Sequence, residues 1–185
     1  RMRGDRKGLG EYLYFEWLYP VKDYFKSTSK NELVFEMLMP LGISLITTII
    51  YANNNLVAIA ASKLAEILLT LTSILIGFSV MLVTLLLTSG GTGVEKLKEK
   101  EIEKKLYGKH VNLFQKLHIQ FVNSLLSEIF LLMVVLLYYF LVGILDAGPW
   151  QCVFLGIFIF VILYILLSIL RGITNVYFSY YNSKE

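Results

Sequence analysis

A single cysteine, Cys152, leaves the chain without an internal disulfide and without a multi-cysteine metal site. Charge is scarce too: 17% of the 185 residues are charged against 56% hydrophobic, and the net charge is only +3. So small an excess gives direct nucleic-acid binding no strong electrostatic basis. The basic opening RMRGDRKGLG is not followed by an apolar stretch with a cleavage site, so it is not a secretory signal peptide. The chain opens on Arg1 rather than Met, which suggests residues upstream. There is no Asn-x-Ser/Thr acceptor. The two histidines, His110 and His118, are eight residues apart and lack the i,i+4 partner and intervening Glu of a zinc helix. The glycine-rich stretch at 90–93 is followed by Val94-Glu95, not by the Lys-Ser/Thr of a phosphate loop. No nucleophile–base arrangement, paired-carboxylate site or cofactor fingerprint is present. The expectation is a protein that is not an enzyme, with no catalytic residue, cofactor or metal.

What the chain does have is apolar length. From Leu56 to Ser89 it carries only two charges, Lys63 and Glu66. About 20 apolar residues in a row cross a bilayer core as a helix, and a backbone without water must be helical there. Within this run Glu66, Thr70, Ser73, Gly77, Thr84 and Thr88 recur at steps of 4, 3, 4, 7 and 4, which is one helical face. A lipid-facing surface has no use for such a stripe, so the expectation is that it faces protein, or water held by protein.

The whole reads as an all-α, polytopic membrane protein with four transmembrane helices arranged as two hairpins, oligomeric, with helices extending into the cytosol. Residues 1–33 form a cytosolic or interfacial aromatic segment. Its stretch EYLYFEWLYPVKDYF has the Trp and Tyr content of a membrane–water boundary, and a short surface helix is expected at about residues 10–19, broken by Pro20. The first hairpin is 34–89, with Pro40 in the first turns of its first span and Asn53-Asn54-Asn55 as its turn. Residues 90–124 form a charged cytosolic loop, with a helix over Val94–Gly108 carrying Glu101 and Lys105 as an i,i+4 pair. From Val111 the spacing of Phe114, Leu117, Phe121 and Leu125 gives an amphipathic helix that runs into the third span and ends near Leu145. The second hairpin is 125–171; its turn holds Gly148-Pro149 and its last span is closed by Arg171. Residues 172–185 form a cytosolic tail.

Of the 17 lysines and arginines, 7 precede the first span, 1 lies at the first turn, 7 in the central loop, 0 in the second turn and 2 in the tail. Positive charge stays inside, so both termini and the central loop are read as cytoplasmic.

Three groups of residues are candidates for function. The stripe Glu66, Thr70, Ser73, Gly77, Thr84 and Thr88 is either a helix-packing face, since small and hydroxylated residues let backbones approach, or the lining of a pore with Glu66 at its mouth. Lys63, three residues before Glu66, is a candidate partner for it. Glu36, Glu128 and Arg171 all fall at the inner end of a span, where a charge finds a counter-charge; the expected ion pair joins Arg171 to one of the glutamates, and the functional alternative is a cytoplasmic gate. Lys98, Lys104, Lys105 and Tyr107 of the central loop are a candidate docking surface for a cytosolic protein partner.

The EYLYFEWLYP stretch, the Asn53–Asn55 turn and the EKLKEKEIEKKL loop make a layout with a counterpart. It resembles the membrane subunits of bacterial anti-phage defence systems, being similar in size and span count to the Kiwa membrane component, with Hailong-type nucleotide-gated membrane effectors as a second likeness. That resemblance implies a homo-oligomer, a tetramer, in the inner membrane, addressed from the cytoplasm by a soluble partner or a nucleotide signal. Two functions stand side by side: a subunit that docks a cytosolic partner, and a ligand-gated pore that depolarises the membrane.

Overall fold

The computed structural model describes residues 16–88, 92–146 and 148–181. Its elements run α1 (Leu18–Ser27), α2 (Lys30–Asn53), α3 (Val57–Thr88), α4 (Thr92–Glu99), β1 (Glu101–Leu106), β2 (Lys109–Asn112), α5 (Leu113–Val142) and α6 (Trp150–Tyr181). Four of them, α2, α3, α5 and α6, are long and apolar enough to cross a membrane. At one end of the bundle α2 turns into α3 through residues 54–56, and α5 ends at Val142 and α6 begins at Trp150. The other end is capped by α1, α4 and the β1–β2 hairpin, which pack on the start of α5 and on one another.

Local sequence sets the helix starts. Ser29 and Glu32 close a reciprocal capping box on α2, and Asn112 and Gln115 do the same for α5. The tight turn between α2 and α3 puts Asn55 at φ 54°, a left-handed position that asparagine tolerates. Asn54 Nδ2 also donates to the Ile50 carbonyl at 2.8 Å, closing the end of α2.

Four boundaries differ from expectation. The first helix does not end at Pro20 but begins just before it, with the proline in its first turn, where no N–H is missed; residues 10–15 of the expected surface helix lie outside the described residues. Conversely, Pro40 is not in the opening turns of α2 but buried inside the helix, so it offers no N–H to the Glu36 carbonyl one turn back. The helix expected over Val94–Gly108 stops at Glu99 and gives way to an antiparallel hairpin. Tyr107 (φ 51°) and Gly108 (φ 80°) form its two-residue loop, the positive-φ pair that matches strand twist. Ile102 pairs with the buried Val111, so a strand pairing outweighs the helix propensity of the Lys/Glu run. Glu101 and Lys105 are thereby about 13 Å apart along extended chain rather than stacked on a helix. Finally, α6 passes through Arg171 and Gly172 and continues to Tyr181, with no proline after Arg171 to stop it.

Of the two hairpins of the chain only the second is a hairpin in space, α5 packing along α6. α2 and α3 are joined by a tight turn yet barely touch; α2 lies against α6, and α3 against α5. α6 is central: 39% of its apolar window is buried within the chain, against 17% for α2 and for α3. Gly156 of α6 leaves room for α2, and Ser44 donates to its carbonyl at 2.7 Å. Near the turn end Tyr138 of α5 is enclosed by Trp150, Phe154 and Phe158 of α6, with ring centroids 5.4–5.7 Å away, and shares a hydrogen bond with Ser62 of α3 at 2.9 Å. Near the capped end a Cβ on Gly172 would sit 3.0 Å from the Phe121 ring.

That last contact gives a test. Gly172→Val wedges α6 away from α5 and should destabilise the protein by about 1–3 kcal/mol, read as unfolding in detergent. Gly42→Val on α2, where a new Cβ meets nothing within 4 Å, should change little.

Candidate functional site

The largest concentration of charge inside the fold lies where α1, α2, α5 and α6 meet at the capped end. Glu32 and Glu36 are i,i+4 on one face of α2. Arg171 of α6 reaches both, with Nε 3.0 Å from Glu36 Oε1 and NH1 3.3 Å from Glu32 Oε2. The Nε contact is an ion pair whose N–H is not aligned as a hydrogen bond. Arg171 NH2 donates to the Tyr24 hydroxyl at 2.8 Å, and the Tyr24 hydroxyl donates in turn to Glu36 Oε2. The guanidinium also lies 5.5 Å from the Tyr24 ring centroid, in cation–π range. Lys116 of α5 completes the set, 3.5 Å from Glu32.

Two carboxylates therefore meet two cations, and the buried Glu36 has its counter-charge beside it. Burial is the first reason that the Tyr24 phenol holds its proton well above the ordinary tyrosine range; Tyr164 adds to the effect and the Arg171 charge opposes it. The phenol is thus a neutral donor, suited to bridge Arg171 and Glu36. A cavity of about 460 Å³ opens beside the cluster, lined by Glu32, Glu36 and Arg171 and walled by Phe35, Leu167 and Leu170.

Of the three residues expected as an inner ion pair, the structure joins Arg171 to Glu36 and sets Glu128 apart. Glu128 is wholly buried between α3 and α5, accepting from Ser79 at 2.7 Å and from Ser124 at 3.5 Å. Sequence reasoning missed Tyr24, Glu32 and Lys116. Glu32 carried a signal, since it closes the Ser29 capping box; Tyr24 was one aromatic among many.

The α3 stripe is brought together as one face, and that face points outward. Glu66, Thr70, Ser73, Gly77, Thr84 and Thr88 are all exposed, while Ala61, Ala65, Leu68, Thr72, Ser79 and Leu86 turn to the bundle. Ser73 donates to the Leu69 carbonyl at 2.7 Å and Thr88 to the Thr84 carbonyl at 2.8 Å. These two hydroxyls are satisfied by their own helix. Among the described residues no ion pair joins Glu66 to Lys63.

The candidate docking residues fall on the cap. Tyr107 stands at the hairpin tip, 75% exposed, and its hydroxyl donates to Asp23 of α1 at 3.0 Å. That bond, with a little desolvation, raises the Tyr107 phenol. Lys98 of α4 lies 5.3 Å from the Phe114 ring centroid. Lys104 and Lys105 are in β1; their side chains lie outside the described residues. His110 and His118 line a cavity of about 610 Å³ between the hairpin and α5, with Asp23, Tyr107, Lys109 and Phe114.

Fold and site together define a multi-pass membrane protein with a folded cap on one end of its bundle. No protein-family model, curated protein or solved structure matches the chain.

The charge cluster predicts an asymmetric mutant series. Arg171→Met leaves Glu36 buried without a counter-charge and should cost about 3–5 kcal/mol. Adding Glu36→Gln should restore most of that loss. A double-mutant cycle by chemical unfolding in detergent measures both.

Proposed function

We propose that this protein is a homo-oligomeric inner-membrane subunit, with both termini cytoplasmic, whose cap docks a cytosolic protein partner. The observation that carries this reading is Tyr107. A large aromatic side chain is held on a two-residue turn, exposed, and fixed from below by Asp23. Rigid exposed aromatics are the anchors of protein interfaces. Lys109, two residues on in the hairpin, and Lys98 of α4 are exposed on the cap, which favours a partner with an acidic surface. The opposite end of the bundle offers only short turns.

A physical route from the cap into the membrane supports the same reading. Asp23, which holds Tyr107, is followed by Tyr24, which bridges Arg171 and Glu36. A partner that displaces the hairpin pulls on α1, and α1 carries a member of the charge cluster joining α2 and α6. The layout resemblance sets this role in bacterial anti-phage defence, and the subunit is a binding protein rather than an enzyme.

Sister subunits, four in the resembling systems, cover the α3 stripe in this reading. The exposure of Glu66, Thr70 and Thr84 on a span supports a protein neighbour there. The second reading, a ligand-gated ion-conducting pore, is favoured by one specific observation: Glu66 is exposed on a span and no ion pair in the described residues compensates it. A ring of such carboxylates selects cations.

A photo-crosslinking side chain placed at Tyr107 should capture a soluble protein in cells, and one placed at Asn54 at the turn end should not. Equal capture from both positions, or from neither, removes the docking role from the cap. In planar bilayers, silence of the wild type under partner addition favours the docking reading; a conductance whose cation selectivity falls in Glu66→Gln favours the pore.

A further inference from the structure

Two carboxylates are buried among the described residues, Glu36 and Glu128, and only one of them has a counter-charge. Glu128 is 0% exposed and no ion pair in the described residues reaches it. Both hydroxyl donors, Ser79 and Ser124, act on Oε1, and Oε2 has no partner. Along α5 the residue is about 21 Å from Val142 at 1.5 Å per residue; toward the capped end it lies about one turn inside the span, and α3 and α5 close it off from solvent there. No charged side chain follows it between Ile129 and Val142.

The groups that face it give no relief. α3 has no ionisable side chain from Ile67 to Thr88. On α6, Tyr164 accepts from Asn123, and Arg171 is engaged by Glu36, Glu32 and Tyr24. Tyr24 of α1 and Glu36 of α2 belong to that same cluster. On α5 itself the nearest cation, Lys116, is three turns away and paired with Glu32. A lone carboxylate in such a place keeps neither hydration nor a counter-ion, the costliest state for a charge inside a membrane. A hard metal cation takes about six oxygens, and the side chains here bring one carboxylate and two hydroxyls. A proton needs only the free oxygen.

We propose that Glu128, with Ser79 and Ser124, is an intramembrane proton-binding site, and that the bound proton keeps α3 packed on α5. The proton sits on Oε2, and both serine hydroxyls donate to Oε1. Release breaks the Oε2–H bond, sends the proton to water and leaves a carboxylate between the helices. The site lies on the inward face of α3, opposite the Glu66–Thr88 stripe, and stands whether or not the cap docks a partner.

Infrared spectra of the full chain in lipid nanodiscs test this. At neutral pH the wild type should show the carbonyl stretch of a protonated carboxylic acid, and Glu128→Gln should lack it. In Ser79→Ala that band should persist and shift to higher frequency, because its stronger hydrogen bond is gone. The wild-type melting point should fall as the medium is made alkaline, and the melting point of Glu128→Gln should not follow it. The proposal is overturned if the wild type shows no such band, or if the two melting profiles run parallel. Loss of the band when choline is exchanged for Na⁺ at fixed pH overturns it as well, making a metal cation the ligand. If Glu128→Gln does not fold, the Ser79→Ala shift decides: an unshifted band sinks the assignment.

Discussion

The capped end of this bundle is organised by one electrostatic necessity: Glu36 is buried, and Arg171 must compensate it. The two residues sit 135 positions apart in the chain, on helices that approach from opposite directions. Their pairing fixes the relative depth of α2 and α6. Tyr24 enters only because both charges are there to be bridged, and with Tyr24 comes α1. Glu32, one turn before Glu36, brings in Lys116 and so the start of α5. Four helices are placed by a cluster in which every charge has an opposite neighbour. Because Glu36 is nearly inaccessible, the arrangement is asymmetric: either member alone is worse than neither. Pro40 sharpens the point, since the helix that carries Glu36 is locally missing an N–H where the glutamate carbonyl expects one.

Packing elsewhere obeys a different logic. In a membrane, helices gain little from apolar contact alone, and association rests on close fit and a few interhelical hydrogen bonds. α6 supplies the fit, through Gly156 under α2 and Gly172 under Phe121. The hydrogen bonds are sparse and specific: Ser44 to the Gly156 carbonyl, Ser62 with Tyr138, Gln120 to the Ser168 carbonyl. This explains why α2 sits on α6 instead of its chain neighbour α3.

How much of this was legible in the sequence follows from the range of each signal. The four spans were legible because twenty apolar residues exclude other structures. The capping boxes were legible because they close within three residues. The Arg171–Glu36 pair was reachable from depth alone, but depth could not separate Glu36 from Glu128, which lies at a similar level on a different helix. Only the azimuth of α5 against α3 distinguishes them, and azimuth is set by packing. The hairpin is hard to see in sequence because Lys and Glu favour helices locally, and only a single Tyr-Gly pair and the non-local pairing of Ile102 with Val111 oppose a helix. The α3 stripe shows the limit most clearly. Its periodicity was plain, yet periodicity gives a face and not a direction, and the face turned out to look away from the other helices of its own chain.

That outward stripe and the inward Ser79–Glu128 contact put two polar tracks on opposite sides of one helix. The outward one is hydroxyl-rich, and Ser73 and Thr88 can return their hydrogens to their own backbone, so those positions do not by themselves require a neighbour. Glu66 has no such local remedy, because a carboxylate has no hydrogen to return and repels the carbonyls of its own helix. The pressure for a protein or aqueous neighbour is therefore concentrated at Glu66 and fades along the stripe toward Thr88. The inward track has the reverse character: its hydroxyls are spent on Glu128, and the carboxyl is the group left with an open valence for hydrogen bonding. α3 is thus flanked by a carboxyl group on each face, Glu66 outward and Glu128 inward, at different depths, with Leu68 and Thr72 between them. Whatever moves this helix must alter the surroundings of both at once.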